Sequence, residues 1–389
     1  MVRRNLIFVV AVLLISFCSR EERSQFYLPA EFEPVKSTCF VWSQDYYEII
    51  PKLIGIISEK DKVTVFLGKT VGDTLTVLRI LEKYGSDLDN IRLQRMNVTL
   101  DNIWIRDYGP VYLINSLGER KLVHFNYFWS NPGFLEDFAS KSGLSAIRSS
   151  FNSSGGSREV NGKGTMILCE AHEMDVNNPK SKQEIESEMK EKLKQKKVIW
   201  LKKGIPQDDS FRSGPLANEI YPKGVNGHVD EFCRFADANT ILISSVTDKE
   251  ASKHPILGEA KKRLDENFEI LKNSSDQDGR KFNVIKVPMA PLIITDRTSG
   301  PEGKLVTSVT SYMNFIITNS IIVLPSYVSE TTNNISLLRK EKEVENLFKE
   351  VFPSREIIKV RADTINYFSG GFHCASINEP MAATRTDID

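Results

Sequence analysis

A short strand, a polar turn and a second strand follow one another four times along this 389-residue chain. Each turn contains Gly or Asn, residues that tolerate positive φ and therefore favour hairpins. Patterns typical of helices lie elsewhere along the chain, at 46–59, 72–84, 255–272 and 336–350. Together they predict mixed α and β structure built from repeated ββαβ units, although the irregular spacing does not fix the number of units. The predicted turns lie at 115–118, 161–164, 236–239 and 318–320.

The most detailed helix signal begins at Ser181, because Ser181 and Glu184 form a capping-box pattern. The apolar residues that follow recur on one helical face. The wholly apolar run at 198–201 then predicts a buried strand. The apolar helical face consists of Ile185, Met189 and Leu193.

The composition is that of a globular protein without a nucleic-acid partner. Hydrophobic residues make up 41% of the chain and charged residues 26%, which argues against disorder. The 51 basic and 51 acidic residues leave no basic excess, which a nucleic-acid binder usually has. The cysteines are far apart, so neither a disulfide framework nor a cysteine-rich zinc site is expected. They are Cys18, Cys39, Cys169, Cys233 and Cys374.

The first 26 residues have the pattern of an export signal. Arg3 and Arg4 precede an apolar run at 6–17 that is too short to span a bilayer as a helix. The leader is predicted to end either at a lipidated Cys18 attached to a membrane or at an ordinary cleavage site that releases a secreted protein. The alternatives are an uncleaved anchor and a cytoplasmic protein whose start codon is assigned too early.

No linker-like stretch divides residues 27–380, which predicts a single domain. The residues after it, 381–389, show no periodic pattern and are predicted to form a flexible tail. Nothing in the sequence indicates an oligomeric state.

The segment His228-Val-Asp230 places an imidazole beside a carboxylate. On an extended strand these two side chains would face one side and Glu231 the other. The pair is either an acid or base beside a carboxylate, or a surface pair. It could also ligate a metal together with a third ligand such as His124 or His172.

The segment 104–110 places Asp107 between an arginine and an aromatic residue, before a Gly-Pro turn. Asp107 is either a fixed carboxylate in a cleft walled by Trp104, or a partner of Arg106. Asn314 lies in an apolar segment, 312–317, that is predicted to be a strand, where a buried amide needs hydrogen-bonding partners.

Cys374 follows two glycines that allow close approach of the backbone. The thiol is either a nucleophile served by a histidine from elsewhere or a small buried hydrophobic residue. The neighbouring His373 is interpreted as structural.

These motifs, in their order along the chain, resemble those of the agmatine deiminase and bacterial-type peptidylarginine deiminase family of guanidine-modifying enzymes. The resemblance extends from residue 28 to about residue 380. It implies the pentein fold, an α+β propeller of five ββαβ units around a pseudo-fivefold axis with the site at its centre. It also implies hydrolysis of a guanidinium to a ureido group and ammonia, without a metal or another cofactor.

The resemblance also implies roles for individual residues. Asp107 and Asp230 would hold the planar guanidinium, Cys374 would attack its central carbon, and His228 would carry protons. The implied substrate contacts are Asn314, Trp104, Gly371 and Trp129.

The sequence departs from agmatine-specific members of this family at three places. An acidic residue generally stands where Ser154 precedes Gly155-Gly156, and acids also precede the Asn-Gly-His segment, where 221–225 reads Tyr-Pro-Lys-Gly-Val. The family's Trp-Gly-Gly loop reads Phe128-Trp129-Ser130 here. These positions are expected at the far end of the substrate, so agmatine and peptidyl-arginine both remain candidate substrates. The alternatives to a deiminase are an exported, non-catalytic guanidine-binding protein and a metal-dependent hydrolase.

Overall fold

The computed structural model describes residues 24–43, 48–128, 130–295 and 303–382. The predicted leader at 1–26, including Cys18, lies almost wholly outside the described residues, as do Trp129 and most of the predicted tail at 381–389. The boundaries of the predicted single domain therefore stay predictions. Within the described ranges, no helix combines the length and the apolar character needed to cross a membrane.

Strands and helices alternate along the described chain. The strands are β1 (Val35–Val41), β2 (Val63–Leu67), β3 (Ile91–Arg95), β4 (Val111–Ile114), β5 (Arg120–Asn126), β6 (Ala146–Asn152), β7 (Arg158–Val160), β8 (Thr165–Cys169), β9 (Lys197–Leu201), β10 (Ile220–Tyr221), β11 (Cys233–Phe235), β12 (Thr240–Ser245), β13 (Asn283–Pro288), β14 (Ile294–Thr295), β15 (Leu305–Thr307), β16 (Ile316–Ile317), β17 (Ile321–Ser326), β18 (Glu356–Arg361) and β19 (Ser376–Pro380). The helices are α1 (Ile49–Ser58), α2 (Thr74–Lys83), α3 (Ile105–Tyr108), α4 (Phe134–Ser142), α5 (Glu170–Val176), α6 (Lys182–Leu193), α7 (Asp248–Ala251), α8 (Pro255–Asn273), α9 (Ile335–Val351) and α10 (Asp363–Tyr367).

Five sheets share one topology. In each sheet a middle strand pairs antiparallel with a short outer strand and parallel with a strand that follows a helical crossover, as parallel pairing requires. The C-terminal β19 serves as the outer strand for β1, so the two ends of the described chain meet in one sheet. The sheets are β19-β1-β2-β3, β4-β5-β6, β7-β8-β9, β11-β12-β13 and β16-β17-β18, and a small sixth sheet is β10-β15-β14.

The predicted mixture of α and β structure is confirmed, and several local predictions are confirmed with it. Ser181 caps α6 in a complete capping box, and the predicted apolar face of α6 is buried against β8. Each fully buried Ile, Leu or Met side chain stabilises the fold by about 1.5–3 kcal/mol. The four predicted helices at 46–59, 72–84, 255–272 and 336–350 correspond to α1, α2, α8 and α9.

Two segments that were predicted to be extended strands are not, or only partly, paired in a sheet. In the second of them, a polar side chain forms the hydrogen bonds that a neighbouring strand would otherwise form. Residues Val229–Glu231 form a 3₁₀ turn, and β11 begins only at Cys233. In the predicted strand at 312–317, only Ile316–Ile317 pairs as a strand. The Ser311 hydroxyl accepts the Met313 N–H and donates to the Glu231 carbonyl, so these backbone groups need no sheet partner.

Candidate active site

Five chain segments supply the polar side chains of one buried site, and each lies just before the short outer strand of a different sheet. The equivalent ends of five similar units therefore contribute one segment each to the same site. The segments are 104–107 before β4, 154–157 before β7, 228–231 before β11, 311–314 before β16 and 371–374 before β19.

The Cys374 thiol lies among polar groups and is only 5% exposed. Its Sγ accepts a hydrogen bond from Asn314 Nδ2 at 3.1 Å. Two carboxylates also contact Sγ, with Glu231 Oε1 at 3.5 Å and Asp230 Oδ2 at 3.7 Å. The predicted nucleophile and two predicted site residues, Asp230 and Asn314, are therefore in direct contact.

Asp107 lies opposite Asp230, with Gly156 between them. Asp107 Oδ1 accepts the Gly156 N–H and Oδ2 accepts the Tyr127 hydroxyl, both at 3.1 Å. A Cβ at Gly156 would lie 2.7 Å from His228 Nδ1 and 3.1 Å from an oxygen of each aspartate. The two carboxylates and the imidazole thus converge over a position where only glycine fits.

Asp230 and Glu231 each keep one oxygen without a hydrogen-bond partner among the residues that the structure describes, namely Asp230 Oδ1 and Glu231 Oε2. Their other oxygens are engaged: Asp230 Oδ2 accepts from His373 Nδ1 at 2.7 Å, and Glu231 Oε1 accepts from Asn314 Nδ2 at 2.9 Å. Because a buried polar atom is costly without a partner, these oxygens are suited to donors from a bound cation.

The prediction that Glu231 faces away from Asp230 is wrong. It assumed the alternation of an extended strand, whereas the 3₁₀ turn at Val229–Glu231 brings both carboxylates to Cys374. His373, interpreted as structural, binds Asp230 through Nδ1 and lies 3.3 Å from Glu31 Oε2 through Nε2.

Burial and like charges dominate the electrostatics of the site. Burial, together with the Asp230, Glu231 and Asp107 carboxylates, raises the pKa of the Cys374 thiol well above its usual range. Burial and the neighbouring Asp107 carboxylate raise the pKa of Asp230 well above its usual range. Burial raises the pKa of Asp107 to about 6, although the Gly156 and Tyr127 hydrogen bonds oppose the change. Among the described residues, no lysine or arginine forms an ion pair with any of these carboxylates, although Arg106 and Arg234 act on Asp230 from a greater distance.

His228 is a buried, neutral imidazole. Burial, with a smaller contribution from the Arg158 guanidinium, lowers the pKa of His228 to about 3. Its backbone N–H donates to Asp208 Oδ2 at 2.7 Å, and its Nδ1 lies 3.7 Å from Asp107 Oδ1. The predicted acid–base histidine is therefore held on the face where the aspartates meet.

Of the other residues predicted to contact the substrate, one lines a cavity at the site, one lies behind Asn314 and one is outside the described residues. Trp104 lines a cavity of about 330 Å³ that also reaches Asp107, His228 and Cys374. A Cβ on Gly371 would collide with the Asn314 amide, so Gly371 allows Asn314 to approach Cys374. Trp129 lies outside the described residues.

The metal-hydrolase alternative needed a further histidine beside His228 and Asp230. His172 does pack against His228, with ring centroids 4.6 Å apart, but His124 contacts the Arg148 guanidinium instead. Within the described part of the chain, the one close set of potential ligands has no imidazole. That set is Asp230, Glu231 and Cys374.

Comparison with known proteins agrees with this geometry. Residues 27–380 match the sequence model of the Porphyromonas-type peptidyl-arginine deiminase family. The chain belongs to this family.

Similarity to individual deiminases extends over almost the whole chain. An agmatine deiminase from Pseudomonas fluorescens is 27% identical, and the alignment covers 91% of this chain and 95% of that protein. Two solved structures share the fold. The agmatine deiminase of Enterococcus faecalis has a TM-score of 0.71 at 22% identity and covers 92% of this chain and 97% of its own. The C. jejuni agmatine deiminase with substrate bound has a TM-score of 0.70 at 20% identity and covers 93% and 98%.

Ser154 has a different environment from the one expected of this family member. It was predicted at the far end of the substrate, but its hydroxyl is buried against His228 and His172. Ser154 therefore contacts the predicted acid–base histidine directly. Sequence reasoning also missed Glu231 and Asp208, whose contacts arise only when distant segments meet.

A second, outer cavity of about 630 Å³ adjoins the inner one in this deiminase-family protein. The two cavities share Tyr127, Gly224 and Val225 as lining residues. Oppositely charged, exposed side chains line the outer cavity: Arg212 and Asp175. Gly224 and Val225, which belong to the departing segment 221–225, therefore line both cavities.

Proposed function

We propose that this protein is a guanidine deiminase that hydrolyses a guanidinium to a ureido group and ammonia through a covalent intermediate on Cys374. The observation that carries the proposal is the contact of one thiol with carboxylates that lack a cation, beside a neutral imidazole. Family membership and the fold shared with agmatine deiminases support it.

A guanidinium fits the site because it is planar, cationic and rich in N–H donors. Asp107 and Asp230 face each other across Gly156 and accept paired charge-assisted hydrogen bonds from it. Each contact near 4 Å is worth about 4 kcal/mol at an effective dielectric of 20, part of which offsets desolvation. The bound cation also opposes the carboxylates that keep Cys374 protonated.

The reaction then follows in two halves. Cys374 loses its proton to His228, and the thiolate attacks the guanidinium carbon to give a tetrahedral adduct. The C–N bond breaks as His228 returns the proton to the departing ammonia. In the second half, water gives a proton to His228 and attacks the thiouronium carbon. The C–S bond breaks, and His228 returns its proton to the sulfur. The hydroxyl proton of the adduct passes to the released ammonia or to solvent, and the neutral ureido product leaves.

The experiment measures ammonia and the ureido product, by mass, from agmatine, free arginine and a peptidyl arginine. Cys374→Ala is expected to abolish turnover on every substrate. Cys39→Ala, which alters another buried cysteine on β1, is the matched control and should retain it. Equal turnover by wild type and Cys374→Ala would reject the proposal.

The outer cavity favours a substrate whose tail carries both charges. Arg212 suits a carboxylate and Asp175 an ammonium, as in free arginine, whereas agmatine carries only the ammonium. Arg212→Gln is expected to raise the KM for arginine about tenfold, since a charge-assisted hydrogen bond contributes about 1.5–3 kcal/mol, and to leave agmatine unaffected. Arg280→Gln, at an exposed arginine that faces Asp278, is the control. An equal change in the KM for arginine and for agmatine would show that Arg212 does not bind the carboxylate of the substrate.

We further propose that the five sheets surround a pseudo-fivefold axis through the site, as in a pentein propeller. The five segments in equivalent positions before β4, β7, β11, β16 and β19 support this arrangement. Export through the leader at 1–26, with or without lipidation of Cys18, is likewise a proposal. Cell fractionation of wild type and Cys18→Ala distinguishes the lipidated form from the secreted one.

A further inference from the structure

The Ser154 hydroxyl lies between two buried imidazoles. Its Oγ is 2.8 Å from His228 Nε2 and 3.2 Å from His172 Nε2. All three side chains are at most 2% exposed, so water does not compete for these contacts. On the other edge of its ring, His172 Nδ1 is 2.9 Å from the Val225 carbonyl oxygen.

One arrangement of hydrogens satisfies all three contacts. A carbonyl oxygen only accepts, so His172 carries its hydrogen on Nδ1 and leaves Nε2 as an acceptor. The Ser154 hydroxyl therefore donates to His172 Nε2. The hydroxyl has only one hydrogen to donate, so its oxygen accepts a hydrogen bond from His228 Nε2. His228 therefore carries its hydrogen on Nε2. The neutral state of both rings follows from burial, which lowers the pKa of each to about 3.

Asp107 favours the other tautomer of His228, with the hydrogen on Nδ1. Its Oδ1 is 3.7 Å from His228 Nδ1, and an ionised carboxylate at that position favours a hydrogen on Nδ1. The groups around the ring thus favour different tautomers, and the shorter contact, through Ser154, favours Nε2–H. The choice matters because only a bare Nδ1 can take a proton on the face where Gly156 and the two aspartates meet.

We propose that Ser154 and His172 are positioning residues that hold His228 as its Nε2–H tautomer, so that Nδ1 is the atom that accepts the proton during turnover. The kinetic part of this proposal rests on the proposed deiminase function. The tautomer itself is a property of the protein without substrate.

The direct test is the imidazole ¹⁵N spectrum of the full chain, which distinguishes protonated from bare ring nitrogens. The chain has five histidines, and single histidine substitutions assign their signals. Wild type is expected to show His228 with hydrogen on Nε2. In Ser154→Ala, where only Asp107 remains to bias the ring, the hydrogen is expected on Nδ1.

Two substitutions of His172 distinguish the effect of losing its hydrogen-bond acceptor from the effect of losing the bulk of its ring. His172→Gln keeps an acceptor near the position of Nε2, whereas His172→Asn keeps a donor near Nδ1 and loses that acceptor. In His172→Asn the Ser154 hydroxyl is free to donate to His228, so the tautomer should change as in Ser154→Ala. In His172→Gln it should stay as in wild type.

Turnover should follow the tautomer. Ser154→Ala and His172→Asn are expected to lower kcat about 10- to 100-fold with little change in KM, which is a partial loss of the roughly 10²–10⁴-fold that general acid–base catalysis contributes. His172→Gln should keep kcat within about threefold of wild type, on the same basis. A kcat loss in every variant with unchanged ¹⁵N signals would mark a merely structural role and overturn the proposal.

Wild-type His228 with hydrogen on Nδ1 would also overturn the proposal. If wild type turned over no guanidine at all, the deiminase function would fail, but the ¹⁵N spectra would still decide whether Ser154 and His172 select the tautomer.

Discussion

Carboxylates lie on both sides of His373, and the two groups differ in whether a cation accompanies them. On one side, Asp230 and Glu231 contact Cys374 and have no cationic side chain in hydrogen-bond contact among the described residues. On the other, Glu31 forms an ion pair with the largely buried Arg106 at 2.5 Å. We name the first group the catalytic carboxylates and the second the paired carboxylate.

The pKa shifts of the two groups have opposite directions. Burial alone would raise the pKa of Glu31, but Arg106, His373 and Arg234 outweigh it and hold that pKa well below its usual range. Burial and the nearby Asp230 and Asp208 carboxylates raise the pKa of Glu231 well above its usual range. The fold thus supplies cations to Glu31, whereas in the proposed reaction the catalytic carboxylates meet the cation of the substrate.

The largest expected effect is at the paired carboxylate. Glu31→Gln leaves the Arg106 guanidinium without its anion, and breaking a buried pair typically costs about 3–5 kcal/mol. We expect the free energy of unfolding in urea to fall by about 3 kcal/mol, since Glu31 is partly exposed. A loss below about 0.5 kcal/mol, the range of ordinary surface substitutions, would contradict the contrast.

The same substitution at the catalytic carboxylates should act on the thiol. Glu231→Gln removes a carboxyl group 3.5 Å from Cys374 Sγ whose ionised form raises the pKa of the thiol, so the substitution should lower that pKa. Alkylation of Cys374 near neutral pH is expected to be about tenfold faster, because the thiolate is the reactive form. Mass spectrometry of the alkylated cysteine measures this rate. An unchanged or slower rate would show that Glu231 does not govern the thiol.

The smallest expected effect is on stability as a function of pH. A carboxyl whose folded pKa is raised, such as Asp107 at about 6, stabilises the protein below its unfolded pKa near 4 and loses that contribution as pH rises through 6. The folded pKa values of the catalytic carboxylates Asp230 and Glu231 are raised as well, so these groups likewise make the protein less stable at pH 7 than at pH 5. Glu231→Gln should stabilise the protein at pH 7 by about 1 kcal/mol and flatten this slope in urea titrations. The paired Glu31 changes stability with pH in the opposite sense. Its folded pKa is lowered, so its contribution to stability is lost as pH falls.

Much of the site was predictable because its residues lie in short motifs. Asp107, His228, Asp230 and Cys374 come together as their order along the chain indicated. The hairpin turns and the capped helix α6 were likewise predictable, since each depends on residues close in sequence.

The rest depends on contacts between distant segments. The side on which Glu231 lies is decided by a 3₁₀ turn, and strand alternation gave the wrong answer. Ser154 meets His172 and His228 from segments 18 and 74 residues away, so its local sequence carries no sign of that contact. The partnership of Glu31 with Arg106 spans 75 residues and was not predicted for the same reason.

The most direct measurement titrates the Cys374 thiol with and without a guanidinium compound bound. Thiolate absorbance in the ultraviolet, taken as the difference between wild type and Cys374→Ser, follows this one group. We predict a protonated thiol at neutral pH in the free protein and a thiolate signal that appears when the cation binds between Asp107 and Asp230. A thiolate already present at neutral pH without the cation, or a titration that the cation does not change, would contradict it.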